Sequence, residues 1–188
     1  MTDLGALLLP IVVAAVAVFF VSAILHMAPL WHKHDYPALP DEDRFRAAVG
    51  PLGLAPGDYM VPRCYSQSEM KSEAFQAKVT QGPNVIMTVL PKGPFGMGGQ
   101  LAKWFVYVLI VTLFAAYVAG SALPPGAEYL AVFRFAGTTA FVAYTMALWP
   151  MSIWYRRGAG LAAKETLDGL IYALITAGIF GTMWPGLS

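Results

Sequence analysis

Four long apolar segments with few charges constrain this chain more than any other feature. They span residues 4–25, 101–123, 129–155 and 167–184. A run of about 18 or more apolar residues is long enough to cross the hydrocarbon core of a bilayer as a helix. Only 12% of all residues are charged, whereas soluble domains carry about 25%. The sequence therefore predicts an all-α membrane protein with four transmembrane helices.

Residues 31–100, between the first two apolar segments, carry a secondary-structure pattern of their own. Asp41 precedes a short helical pattern with acidic residues in its first turn, which is typical of a capped helix N-terminus. Ser66 is followed three residues later by a glutamate, and this capping box predicts a helix over about residues 67–79. Apolar and β-branched residues between Gly-Pro breakers predict a strand at 84–90, for which the stretch DYMV is a candidate partner. We therefore expect a small mixed α/β insert between helices one and two.

The positive charges predict how these segments face the membrane. Eight of the twelve Lys and Arg residues lie between residues 33 and 103, and three more lie at 156–164. Because basic residues collect on the cytoplasmic side, we expect both of these regions in the cytoplasm and both termini outside. This predicts a multi-pass membrane protein. Its first helix lies in 1–30, a cytoplasmic insert in 31–100 and a three-helix membrane unit in 101–188.

Small residues recur along the later apolar segments. In the fourth segment, Gly169, Ala173, Ala177 and Gly181 are each four residues apart. The second and third segments offer similar sets, namely Ala115, Ala116, Ala119 and Gly120, and Ala136, Ala140, Ala143 and Ala147. Membrane helices approach each other closely where small residues meet. We therefore expect these residues at helix–helix contacts, with the lining of a pore as the alternative.

The stretch HMAPLWHKHDY, residues 26–36, contains every histidine in the chain. His26, His32, His34 and the adjacent Asp35 are candidate ligands for a transition metal, because histidine is the commonest protein metal ligand. Asp35 can instead accept a hydrogen bond from a ligating histidine. The stretch lacks the His-Glu-x-x-His pattern of zinc proteases, and the later segments contain no histidine. An interfacial belt of Trp, His, Lys and Tyr explains the same residues without any metal or other cofactor.

Arg134 is a charged residue inside the third apolar segment. It lies five residues after the start of that segment, which is about 7.5 Å along a helix. A long basic side chain at that depth can reach the membrane interface. Asp3 or Glu128 is the expected partner on that side of the membrane.

Asp168 is the corresponding charge in the fourth apolar segment, near its cytoplasmic start. Lys164 lies four residues earlier, the spacing at which opposite charges pair on a helix surface. A local Lys164–Asp168 pair is therefore the first expectation. If helices one and four are neighbours, His26 also approaches Asp168 at a similar depth. Because ionisable groups inside membrane spans are costly and often functional, Asp168 and Arg134 are both candidate functional positions.

Several motifs spread along the chain form a familiar pattern. They are HMAPLWHKHDYPALPDED, APGDYMVP, QGPNVIMTVLPKGP, MSIWYRRG and DGLIYALITAGIFG. The pattern resembles a family of small, uncharacterised bacterial inner-membrane proteins with one helix, a cytoplasmic insert and then three helices. The resemblance covers nearly the whole chain and implies this fold and location. It brings no known activity and no catalytic residues.

The sequence favours a binding or assembly role over catalysis. It contains no nucleotide-binding loop, nucleophile triad or paired-carboxylate motif, and its net charge of +1 gives no basis for nucleic-acid binding. We expect a non-enzymatic accessory or assembly component that acts through its cytoplasmic face. Its expected partners are the lipid bilayer and either another membrane protein or a second copy of the chain. The alternative is a metal-handling or small-solute transport protein that uses the histidine cluster and Asp168.

Overall fold

A computed structural model of the chain describes residues 1–27, 31–94 and 96–186. The chain divides into two compact units. The helical unit comprises Met1–Tyr36 and Gly96–Ser188, and the insert unit comprises Pro37–Phe95. All the candidate site residues of the sequence belong to the helical unit.

The described residues form eight α-helices and two strands. In chain order they are α1 (Leu8–Met27), α2 (Glu42–Val49), β1 (Gly57–Val61), α3 (Gln67–Met70), α4 (Glu73–Gln81), β2 (Val85–Val89), α5 (Gly98–Ala122), α6 (Tyr129–Thr145), α7 (Leu148–Tyr155) and α8 (Ala159–Thr182). Helices α1 and α5 to α8 build the helical unit, and the remaining elements build the insert unit.

Three stretches within the described residues are long and apolar enough to cross a membrane. They are Gly5–Met27, Gly98–Ala122 and Tyr129–Tyr155. These stretches coincide closely with the first three predicted apolar segments, and they indicate a membrane protein. Helix α8 contains the fourth predicted segment and is 24 residues long. It is not among the three stretches, because three charged residues within its first ten positions lower its mean hydropathy.

The third apolar segment forms two helices and is not one uninterrupted helix. Helix α6 ends at Thr145, and α7 begins at Leu148. Pro150 lacks an amide hydrogen, and its ring crowds the carbonyl four residues earlier, at Met146. A continuous helix would therefore lose a hydrogen bond and clash at this point. Met146 instead closes α6 by donating its amide hydrogen to the Val142 carbonyl at 3.2 Å.

Small residues let the helices of the helical unit approach closely. Helix α8 packs against α1, α6 and α7, and α5 packs against α1 and α6. A Cβ atom added at Gly137 of α6 would lie 2.9 Å from the Cβ atom of Ala177, and one added at Gly169 would overlap the Thr145 side chain. Separations this short leave no room for a larger residue. The expected packing role of small residues in α8 is confirmed at Gly169 and Ala177.

Four buried serine and threonine hydroxyls of the helical unit are satisfied within their own helices. Ser22, Thr112, Thr145 and Thr176 each donate to a carbonyl three or four residues earlier, at 2.7–3.0 Å. Such local bonds meet the requirement that a buried polar group find a partner. Among the described residues of this unit, the buried side-chain atoms without a partner are His32 Nε2, Asp168 Oδ2 and the hydroxyls of Tyr144 and Tyr172.

The insert unit has the predicted helix caps, with one correction. Asp41 caps α2 by accepting the Arg44 amide hydrogen at 2.8 Å, as predicted. The single helix expected at about residues 67–79 is in fact α3 followed by α4. The cause is a second N-cap, because the Ser72 hydroxyl accepts the Phe75 amide hydrogen at 3.2 Å and begins a new helix.

The predicted pair of strands is confirmed in the insert unit. Strands β1 and β2 form an antiparallel two-stranded sheet in which Gly57 pairs with Val89 and Val61 with Val85. The Thr88 hydroxyl donates to the Asp58 carboxylate across the two strands at 2.6 Å. The expectation of a mixed α/β insert therefore holds for the secondary structure of this unit.

Candidate metal centre

The segment 31–36 folds back onto the first turns of α8. The Trp31 indole N–H donates to Asp168 Oδ1 at 2.7 Å. Lys164 Nζ donates to the Trp31 carbonyl at 2.8 Å and also pairs with the Asp35 carboxylate. These contacts place a chain segment that follows α1 against residues of the last helix.

A second anchor holds the far end of the same segment. The Arg157 guanidinium donates to the Tyr36 hydroxyl at 3.2 Å, and it pairs with Glu165 of α8 at 2.8 Å. Both ends of segment 31–36 are therefore fixed to the region where α8 begins, which positions the residues between them.

His32 lies between two carboxylates. Its Nδ1 atom is 2.5 Å from Asp35 Oδ2, and its Nε2 atom is 2.9 Å from Asp168 Oδ2. The side chains are largely shielded from solvent, with exposed fractions of 13% for His32, 8% for Asp35 and 4% for Asp168. The two nitrogens of the His32 ring therefore face different carboxylates: Nδ1 faces Asp35 and Nε2 faces Asp168.

His26 comes from the last turn of α1 and stacks on His32. The two ring centroids are 4.4 Å apart, and the ring planes differ by 12°. His26 Nδ1 lies 2.9 Å from the Ser22 carbonyl, which only accepts hydrogen bonds, so Nδ1 carries the hydrogen. The Ser22 hydroxyl in turn accepts the Trp104 indole hydrogen at 2.8 Å. These bonds fix the His26 ring and leave its Nε2 atom as the free donor of an electron pair.

The Asp35 carboxylate accepts a hydrogen bond from the His32 ring, and its own pKa depends on its neighbours. Hydrogen bonds from Lys164 and then from His32 lower the pKa of the Asp35 carboxyl, and they outweigh the opposing effect of burial. Asp35 is therefore ionised at neutral pH and accepts the hydrogen on His32 Nδ1. The Nε2 atom of His32 faces Asp168, and in the neutral imidazole with its hydrogen on Nδ1 it would carry a lone pair that can bind a cation.

The contact between His32 Nε2 and Asp168 Oδ2 is close, but it is not a hydrogen bond. Although the two buried atoms are 2.9 Å apart, neither has a hydrogen-bond partner among the described residues. A hydrogen on Nε2 would not point at the oxygen, because a ring hydrogen lies along the bisector of its nitrogen. These two atoms therefore belong to a small group of buried polar atoms without a hydrogen-bond partner among the described residues, together with the hydroxyls of Tyr144 and Tyr172.

The structure brings together some of the predicted site residues and separates others. Ligand atoms of His26, His32 and Asp168 all lie within 4.8 Å of one another. Asp35 contacts His32 but is not in this group of three, and His34 is exposed. Arg134 lies elsewhere, on the exposed side of α6.

The expected local pair of Lys164 and Asp168 is not formed. Lys164 pairs instead with Asp35, and Asp168 accepts the indole hydrogen of Trp31. The expected approach of His26 to Asp168 is observed, although His32 is the histidine that lies closer to that carboxylate.

Arg134 has no carboxylate within 4.0 Å in the parts of the chain that are described. Neither expected partner reaches it. The Asp3 carboxylate instead accepts the Gly5 amide hydrogen at 2.8 Å. Glu128 lies just before α6 with an extended backbone, and it forms no ion pair with Arg134 either.

Sequence reasoning missed the residues that support the histidines. Trp31 belongs to the stretch interpreted as an interfacial belt, whereas its indole N–H donates to Asp168. The indole N–H of Trp104 donates to Ser22. The available signal was that a buried indole N–H needs an acceptor. Beyond Trp104, the rings of Tyr144 and Tyr172 meet at 5.5 Å, and neither hydroxyl has a partner among the residues described. No spacing in the sequence indicated these contacts.

No family model, curated protein or solved structure matches the chain. The chemistry of the site therefore rests on its own donor atoms, which are two imidazole nitrogens and one carboxylate oxygen. This set suits divalent first-row transition metals, and three protein ligands leave coordination positions open for water or another ligand.

Proposed function

We propose that the protein is an integral membrane protein that binds a divalent first-row transition metal through His26, His32 and Asp168. The observation that carries this proposal is the pair of buried atoms His32 Nε2 and Asp168 Oδ2. In a neutral His32 whose hydrogen lies on Nδ1, the Nε2 lone pair and the carboxylate oxygen would repel each other at 2.9 Å, and a cation bound to both atoms would relieve this repulsion. The absence of a hydrogen bond between the two atoms supports this arrangement.

The donor atoms also indicate which ions the site would hold. His26 and His32 would each supply an imidazole nitrogen and Asp168 would supply a carboxylate oxygen. Imidazole and carboxylate together suit divalent first-row ions such as Mn²⁺, Fe²⁺ or Zn²⁺.

The hydrogen bonds around the histidines suit a metal centre. Ligating histidines commonly donate their second ring N–H to a carboxylate or a backbone carbonyl, which fixes the ring and strengthens the donor nitrogen. Both forms occur here, at Asp35 for His32 and at Ser22 for His26. A metal-handling role, in which the chain holds the ion or passes it on, is the activity that this arrangement supports.

The proposal includes a membrane setting. We propose that α8 spans the bilayer as a fourth helix, that the membrane is a bacterial inner membrane, and that both termini lie outside. Close packing of α8 against α1 and α6 supports the fourth span. The excess of Lys and Arg between the spans supports the orientation, which puts His26, His32 and Asp168 at the cytoplasmic end of the helices.

Metal content of the protein purified in mild detergent tests the proposal. After chelator treatment and reloading with Mn²⁺ or Fe²⁺, elemental analysis should find one ion per chain. His32→Ala and Asp168→Asn should each lose the ion, whereas His34→Ala, which removes an exposed histidine of the same segment, should keep it. Size-exclusion profiles identical to wild type identify the variants that remain folded.

Two results would contradict the metal site. One is a wild-type protein that retains no ion under any loading condition. The other is an ion that His34→Ala removes as completely as Asp168→Asn does.

A further inference from the structure

Arg134 is a charge on an otherwise apolar outer face of α6. Its side chain is exposed, and its exposed neighbours on the same helix are Leu130 and Phe135. In the described parts of the chain no carboxylate lies within 4.0 Å of it. A guanidinium in a membrane-spanning helix needs a counter-charge or access to the interface, so its partner must come from outside this set of residues.

Two apolar grooves flank Arg134, one on each side of α6. The first has a volume of about 270 Å³ and runs between α6 and α8, with Phe133, Gly137 and Leu174 among its lining residues. The second has a volume of about 320 Å³ and includes Val118 of α5. Arg134 and Thr138 line both grooves. These two polar residues of α6 therefore form a wall that the two grooves share.

We propose that Arg134 and the two grooves bind one anionic phospholipid with two acyl chains. The phosphate would pair with the Arg134 guanidinium, which offers donors in the planar arrangement that suits phosphate oxygens. One acyl chain would lie in each groove, on either side of Thr138. Because the grooves are apolar and the guanidinium is unpaired among the described residues, both parts of a phospholipid find a complementary surface.

The direction of the grooves agrees with the orientation of a lipid in a bilayer. Arg134 is five residues into α6, or about 7.5 Å from its start, and can extend toward the headgroup region. On α6 the first groove reaches Phe141, about 10 Å further along the helix. The apolar part of the site thus lies deeper in the membrane than the charge, as acyl chains lie deeper than a phosphate.

Native mass spectrometry of the delipidated protein in non-ionic detergent tests this site. Titration with phosphatidylglycerol should show one lipid bound at least about tenfold more tightly than phosphatidylethanolamine, because the first has a net negative charge whereas the ammonium group of the second neutralises its phosphate. Arg134→Gln should abolish this preference. Lys103→Gln is the matched control, because it removes an exposed basic residue from α5, and it should leave the preference unchanged.

A second variant separates the grooves from the charge. Thr138→Phe keeps Arg134 but fills the space beside Thr138 that the grooves share, so it should weaken binding of phosphatidylglycerol. Inorganic phosphate and the single-chain lyso-lipid should bind weakly both to the wild type and to Thr138→Phe. The proposal is overturned if Arg134→Gln binds phosphatidylglycerol as wild type does, if the two phospholipids bind equally, or if phosphate competes fully with the lipid. Unaltered binding by Thr138→Phe would equally overturn it.

Discussion

Replacing Asp35 with Asn should weaken metal binding by about tenfold without unfolding the protein. Asp35 is not one of the three proposed ligands. It acts on one of them, because its carboxylate accepts the hydrogen on His32 Nδ1 at 2.5 Å. An asparagine of nearly the same size keeps an oxygen acceptor at this position but removes the negative charge. The substitution therefore tests whether the charge of Asp35 strengthens the His32 donor atom.

The expected magnitude follows from the two kinds of hydrogen bond. A hydrogen bond to a charged group contributes about 1.5–3 kcal/mol and one between neutral groups about 0.5–1.5 kcal/mol. The difference of about 1–1.5 kcal/mol corresponds to a five- to thirteenfold weaker affinity, or about tenfold. This lies at the lower end of the roughly 10–100-fold range for residues that support metal ligands. Asp35→Ala, which removes the acceptor altogether, should approach about a hundredfold.

Competition with a coloured chelator at pH 7.5 measures this affinity. Asp41→Asn is a suitable control, because it neutralises an aspartate of the insert unit and Asn caps a helix as well as Asp does. It should bind the ion as wild type does. If Asp35→Asn and Asp41→Asn bind the ion equally well, the charge of Asp35 has no influence on His32 and our account of the site is wrong.

Three further predictions follow from the fold and the site. Gly169→Ala should lower the free energy of unfolding in detergent by about 1–3 kcal/mol, because its Cβ would overlap the Thr145 side chain. Leu174→Ala, at a position that is 49% exposed, should lower the free energy of unfolding by less. An equal loss in both variants would argue against close packing of α8 on α6 at Gly169. The metal should be retained at pH 7.5 and released as the pH falls toward 5, because protons compete for the imidazole nitrogens. The pKa of Asp35 is lowered, so the support that its carboxylate gives to metal binding is present above the ordinary aspartate pKa and is lost only at still lower pH. Metal release that begins only below about pH 4 would therefore assign the pH dependence to Asp35 and not to the histidines. In a Cys64→Ser background, a cysteine added to the C-terminal tail should react with an impermeant thiol reagent in intact cells, and labelling only after lysis would reverse the proposed orientation.

The apolar helices could be predicted because their signal is local and repeated. A stretch of twenty hydrophobic residues has the same meaning whatever it packs against, so the bounds of α1 and α5 fall within a few residues of the predicted ones. The interruption near Pro150 and the second cap at Ser72 were also visible in the sequence. They were missed because a proline or a serine within a longer favourable pattern can either be tolerated or end the helix, and packing decides which.

The site was predictable in part, and for a different reason. The depth of His26 and Asp168 in their helices indicated that they can meet if those helices are neighbours. The fold-back of segment 31–36 was not predictable, because it depends on contacts between residues more than 120 positions apart, such as those of Trp31 with Asp168 and of Lys164 with Asp35. The spacing of Lys164 and Asp168 instead suggested a local pair, which those distant contacts displaced.

The two histidines of the proposed site lie far from Asp168 along the chain, and this distance affects the order of events during synthesis. Trp31 and Asp168, which are joined by a hydrogen bond in the folded protein, are 137 residues apart. A ribosome that adds about 5–20 residues per second needs about 7–27 s to make the intervening chain. During that interval His26 and His32 have been made, but their carboxylate partner has not. The complete set of proposed donors therefore exists only after Asp168 has been made and α8 has packed against α1, so a loaded centre would mark molecules in which these two helices have joined.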